Sequence, residues 1–264
     1  MDPNPFFNGP AVHSHQNCSY CHKFQRCEFE KLRACAACGN AVYCSKECQR
    51  SHWPQHKIDC NTAKAQDKHI KEHTGIEHGY TDLLRWIEYY STPMKNCMIA
   101  ALNLPNYPHQ ERDSVLTIQI THKRDATLPV EHRFIIDSIA RNNRNDNGHN
   151  SKHIIQMLDS EDIKKAVEFG KLEMGKFYYG TAMIMIFAFF SETPYIVIPI
   201  KKVFAIQKPT AQMKVTQTPW WIPLRNIMEN GKKMRFCCGK LEGGSCCCGG
   251  WVHSEDVKKG NVFA

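Results

Sequence analysis

Eight residues near the start of the chain carry its most legible chemistry: Cys18, Cys21, Cys35, Cys38, Cys44, Cys48, His56 and Cys60. They fall into four pairs, Cys18-x2-Cys21, Cys35-x2-Cys38, Cys44-x3-Cys48 and His56-x3-Cys60. A CxxC turn lets two sulfurs converge on one ion, at about 2.3 Å from zinc. Residues four apart on a helix share a face, so each of the two later pairs presents both donors in one direction. Together the pairs supply two closed tetrahedral sites. Thiolate and imidazole donors with no open position suit structural zinc, whereas haem and iron–sulfur motifs are spaced differently. The expectation is two Zn2+ per chain with no catalytic vacancy. Spacing alone allows either a sequential or an interleaved pairing, and Cys27, in the interval between Cys21 and Cys35, competes for the first site.

The elements that must hold these donors are short. Pro54 suits the first turn of a helix, where its missing N–H is harmless, so Ser45 to Trp53 and Pro54 to Cys60 read as two helices with a bend between them. Residues 18–60 are too few to bury the apolar area that folding needs, so metal binding must supply much of the folding energy.

The run CAACGNAVYCSKECQRSHWPQHKIDC resembles the MYND family of zinc fingers, including the Tyr before the third Cys pair and the CQ…W…HK…C ending. The resemblance implies an interleaved, cross-braced finger, with Cys18, Cys21, Cys44 and Cys48 on one zinc and Cys35, Cys38, His56 and Cys60 on the other. It further implies a protein-binding adaptor that captures proline-rich peptides, with Gln49 and Trp53 at the positions of the family's contact residues, and a role in transcription. An exposed indole offers a flat apolar platform to a proline ring, and a Gln amide both donates to and accepts from a peptide backbone. The competing reading makes Trp53 a core residue of a small domain. His52 reads as a surface histidine.

Some fingers of this family sit inside SET domains, which makes a protein-lysine methyltransferase the enzymatic alternative. A SET domain split by its finger calls for more than the 17 residues before Cys18, and no Asn-His-Ser-Cys or Gly-Glu-Glu motif follows. The expectation is therefore a chain that is not an enzyme. Nucleic-acid binding is the third reading. Seven liganding thiolates and two Zn2+ bring the formal charge of +8 down to +5 and leave the finger near neutral. With the other basic residues scattered over 61–264, this disfavours a phosphate-binding stripe.

The remainder reads as an α+β domain of unrecognised family over residues 81–264, preceded by a tail over 1–17 and a linker or frayed helix over 61–80. Leu83, Ile87, Tyr90, Met94, Met98 and Leu102 recur at helical spacing, with Pro93 dividing two helices and Thr92 as a cap. Ser114 to His122 alternates cleanly, and Glu131 to Ala140 is a weaker strand. Asp159 to Phe169 reads as a helix stopped by Gly170. Lys176 to Phe190 and Tyr195 to Ile206 read as a hairpin, with Pro199 marking an edge strand. The Asn-rich Arg141 to Ser151 reads as an exposed loop. Neither apolar half of Thr181 to Ile200 is long enough to span a membrane, and no secretory signal is evident. Fourteen Cys without a secretory signal point to a reducing compartment, nuclear or cytoplasmic. Cys237, Cys238, Cys246, Cys247, Cys248 and His253 form a second cluster for which a third metal, lipidation and free thiols are all open readings.

Overall fold

The helical spacing from Leu83 to Leu102 and the alternation from Ser114 to His122 each present one apolar face, and the two faces meet. The computed structural model describes residues 18–21, 32–39, 41–146, 156–212, 219–231, 234–236 and 251–253. Cys27 and Cys237 to Cys248 lie outside them.

Four strands form the main sheet: β3 (Ser114–His122), β4 (Phe134–Asn143), β5 (Tyr178–Glu192) and β6 (Tyr195–Gln207). Their order is β4-β3-β5-β6. The β3–β4 and β5–β6 pairs are antiparallel, while β3 and β5 run parallel. β6 is an edge strand, as Pro199 requires, because an edge tolerates a missing ladder N–H. Among the described residues, Arg141 to Asn143 end β4 instead of opening a loop.

One face of the sheet, with Leu116, Ile118, Ile120, Ile184 and Ile186, is covered by α2 (Gly79–Tyr89), α3 (Ser91–Leu102) and α6 (Ile222–Glu229). All six residues of the helical stripe from Leu83 to Leu102 are buried there. The break between α2 and α3 falls at Tyr90, not at Thr92 and Pro93 as expected. Tertiary contacts set it: the Tyr90 hydroxyl donates to the carbonyls of Glu131 and Met228. α5 (Lys208–Ala211) follows β6 directly. The opposite face is partly covered by α4 (Glu161–Met174), which carries Ile163 against Met183 and Met185. Gly170 does not stop this helix; it lies inside it, where a Cβ would sit 2.8 Å from the Tyr178 ring and 3.1 Å from the Ala205 Cβ. The residue is glycine so that the helix can approach the strands closely.

The larger departure from expectation is α1, one helix from Lys46 to Thr74. Residues 61–74, read as a linker or frayed helix, are its second half, and Pro54 lies inside it. Pro54 sits on the exposed side, so the Arg50 carbonyl that loses its partner can turn to water. The helix continues because its buried face continues, through His56, Cys60, Ala63 and Ile70. α1 ends on Gly75 at φ 76, a left-handed cap that favours glycine. Asp67 on α1 then caps α2, accepting from the N–H groups of Tyr80 and Thr81 at 2.8 and 3.1 Å and from the Thr81 hydroxyl. No helix among the described residues is long and apolar enough to cross a membrane.

Candidate metal centre

The first CxxC turn is held to β2 (Val42–Tyr43) from both directions. Ser19 N–H donates to the Val42 carbonyl at 2.8 Å, and Val42 N–H donates to the Ser19 hydroxyl at 3.0 Å. The second turn follows β1 (Arg33–Ala34), which pairs with β2. Cys35 N–H donates to the Ala41 carbonyl, and Gly39 N–H to the Cys35 carbonyl, both at 2.7 Å. Gly39 has φ +68, a left-handed turn conformation that favours glycine, and the Arg85 guanidinium of α2 lies against it. Ser45 caps α1, its hydroxyl accepting from Cys48 N–H at 3.2 Å. That cap fixes the helical start that carries Cys48, His56 and Cys60.

These supports bring the eight donors into two groups. Cys18, Cys21, Cys44 and Cys48 form one; Cys35, Cys38, His56 and Cys60 form the other, with all donor atoms in each group within 4.8 Å of one another. The pairing is interleaved. Tetrahedral Zn–S bonds of about 2.3 Å imply sulfurs about 3.8 Å apart, and a sulfur and an imidazole nitrogen about 3.6 Å apart. The observed separations are 3.6 Å for Cys21 to Cys44, 3.5 Å for Cys44 to Cys48 and 3.5 Å from Cys38 Sγ to His56 Nε2. Donor type and spacing fit zinc, and both sets are closed.

The thiols compete for ionisation without a cation. Burial opposes ionisation of Cys18, but the backbone N–H groups of Cys21, Cys44 and Tyr20 outweigh it and bring the thiol down to about 6. Burial likewise opposes ionisation of Cys35, and His56 with the backbone of Ala37 and Cys38 lowers it to about 6. Hydrogen bonding with Cys48 and Cys21 pushes Cys44 up to about 12. Burial, and then the charge on Cys38, push Cys60 up to about 11. Each group thus ionises one thiol readily and resists further charge, a conflict that a dication removes.

A shell of rings surrounds the second group. Tyr43, 2% exposed, has its hydroxyl 3.0 Å from His52 Nδ1. The His52 ring stacks on His56 at 5.7 Å, and Trp53 meets His56 edge-on at 6.0 Å. His52 is half-buried and braces Tyr43, a role that sequence reasoning missed; its helical spacing to His56 was the available signal. Trp53 is 40% exposed and Gln49 precedes it by one helical turn.

A family model described as the MYND finger matches residues 16–60. Those residues are a MYND finger. The finger is a zinc-binding protein-interaction module, and it covers about one sixth of the chain. SET domain-containing protein 14 of Caenorhabditis elegans is 40% identical over 50 residues, 19% of this chain and 11% of that protein. Human N-lysine methyltransferase SMYD2 is 44% identical over 45 residues, 17% of this chain and 10% of that protein. The Drosophila melanogaster zinc finger MYND domain-containing protein 10 homolog is 41% identical over 39 residues, 15% and 9% of the two chains. The matched stretch thus spans about a tenth of each relative. No solved structure matches this chain.

These names correct one expectation. The expectation that the chain is not an enzyme, drawn from the short segment before Cys18 and the missing SET motifs, stands against relatives with the same finger that are named lysine methyltransferases. A MYND finger therefore does not argue against enzymatic activity, because interaction modules accompany catalytic domains as well as adaptors.

Proposed function

We propose that the finger captures proline-rich peptide segments of a protein partner on Trp53 and Gln49. The observation that carries this reading is the exposure of Trp53: its indole stays 40% open to solvent, while Tyr43, the ring at the centre of the same small core, is 2% exposed. A residue needed only for packing would be covered. One edge of Trp53 rests on His56, a donor of the second metal group, so the zinc site holds the platform rigid. A rigid indole suits a polyproline II segment, whose own preformed shape lowers the ordering cost of binding. Gln49 lies one turn away and can bond the peptide backbone. The seven thiols must stay reduced to hold zinc, which supports a reducing nuclear or cytoplasmic setting. A role in transcriptional complexes belongs to the same reading.

The test is titration of the zinc-loaded full chain with a fluorescent proline-rich peptide, with Trp53→Ala as the variant. Binding should be lost while two zinc ions per chain remain. Loss of zinc together with binding would make Trp53 a packing residue and sink the proposal.

A second reading, methyl transfer to protein lysine, is supported by the relatives' names. Incubation with labelled S-adenosylmethionine and candidate protein substrates tests it, and label in the substrate is the supporting result.

A further inference from the structure

The continuation of α1 to Thr74 changes how the basic residues are arranged. Lys46, Arg50, Trp53, Lys57, Asn61, Lys64, Lys68 and Lys71 follow one another three or four residues apart, which places them along one face of a single helix. Every one is exposed. The charge scattered in sequence is therefore a stripe in space, with Trp53 the one aromatic ring in it. Lys68 pairs with Glu72 at 3.7 Å and Lys71 with Glu77 at 2.6 Å. Among the described residues, Lys46, Arg50, Lys57 and Lys64 have no such partner. Glu47 sits beside the stripe, and its carboxyl is held low first by its own backbone N–H and the Ser45 hydroxyl, with Arg50 and Lys46 acting only at a distance. Asp59 falls on the opposite side by helical spacing. The near-neutral sum for the zinc-loaded finger hides this segregation.

We infer that the peptide captured on Trp53 carries acidic residues on both sides of its proline, read by Arg50 and Lys57. The inference rests on the peptide reading above and adds the partner's charge to it. Helical rise puts Arg50 about 4.5 Å and Lys57 about 6 Å from Trp53 along the axis. A polyproline II segment rises about 3.1 Å per residue, so one laid along α1 brings positions one and two on each side of the proline level with these cations. Lys46 and Lys64 extend the same field outward and steer an acidic segment to the site. The Arg50 guanidinium presents a fork of donors to a carboxylate, and Lys57 presents a point charge.

Three fluorescent 12-residue peptides test this, sharing one proline-rich core and differing in flanks of Glu, Ala or Lys, titrated against the zinc-loaded full chain. The Glu-flanked peptide should bind roughly tenfold tighter than the Ala-flanked one at low salt, the combined effect of a few exposed ion pairs, and the Lys-flanked one more weakly still. That preference should shrink as ionic strength rises. Arg50→Gln combined with Lys57→Gln should bring the Glu-flanked peptide down to near the affinity of the Ala-flanked one. Equal binding of the Glu- and Ala-flanked peptides would overturn the charge inference and leave peptide capture standing. Failure of all three peptides would overturn peptide capture itself. Displacement of the acidic peptide by a single-stranded oligonucleotide, with the same dependence on Arg50 and Lys57, would assign the stripe to nucleic acid and overturn the inference as well.

Discussion

The finger and the sheet domain bury very different things. The buried cluster of the finger is Cys18, Cys35, Cys38, Ala41, Tyr43, Cys60 and Ala63, mostly thiols. The buried cluster of the sheet domain is aliphatic and aromatic, from Ile70 and Leu83 through Ile118 and Ile186 to Met228. Thiolates packed together repel, whereas packed side chains such as Ile and Leu are driven together by the water they leave behind. The two regions therefore draw stability from different sources. They share one element, because α1 places His56 and Cys60 in the finger and Ile70 under the sheet, and Tyr80 packs against both clusters.

The comparison can be broken by removing a single donor, for which the largest effect is expected. Cys38→Ser should leave one zinc per chain in place of two and unfold the turn over residues 32–39 around the vacated second group, because metal binding supplies most of the folding energy of such a unit. Zinc content by mass spectrometry under native conditions reads this directly. Ile186→Ala should do the converse. The side chain is fully buried, so its loss should cost the sheet domain about 2–5 kcal/mol in denaturant unfolding while zinc content stays at two.

A smaller effect sharpens the contrast within the sheet domain. Glu111 is 1% exposed, a Cβ on Gly180 would lie 2.5 Å from its carboxyl, and neither oxygen has a hydrogen-bond partner among the described residues. His109 and Arg112 stand 3.7 and 3.6 Å away. Burial, opposed by these neighbours and its own backbone, holds the carboxyl above its ordinary value. The folded protein thus keeps this proton longer than the unfolded chain. Stability falls as pH rises from the ordinary carboxylate range through the raised value, and below that range no cost remains. Glu111→Gln should therefore raise the Tm of the sheet domain at pH 7, and the gain should fade as pH falls into the ordinary carboxylate range.

The finger was legible because metal chemistry dictates residue types at fixed spacings, and the four pairs could be read without any knowledge of packing. Strands β3 and β6 were legible through alternation and Pro199. The length of α1 was not, since its buried face uses His56, Cys60 and Ala63 in place of large apolar residues, and Pro54 mimics a helix start. Gly170 was misread for a similar reason: the rings and methyls that require it to be glycine come from β5 and β6. The parallel pairing of β3 with β5, Val115 opposite Met183, joins residues far apart in sequence and leaves no local mark.

Hydrogen exchange of the full chain, with and without a strong zinc chelator, tests most directly the claim that the two regions are held by different forces. Residues 18–21, 32–39 and 41–60, which include the first half of α1, should lose protection on chelation, while β3, β5 and α3 keep theirs. Retained protection over those residues of the finger, or loss of protection throughout the sheet as well, would contradict it.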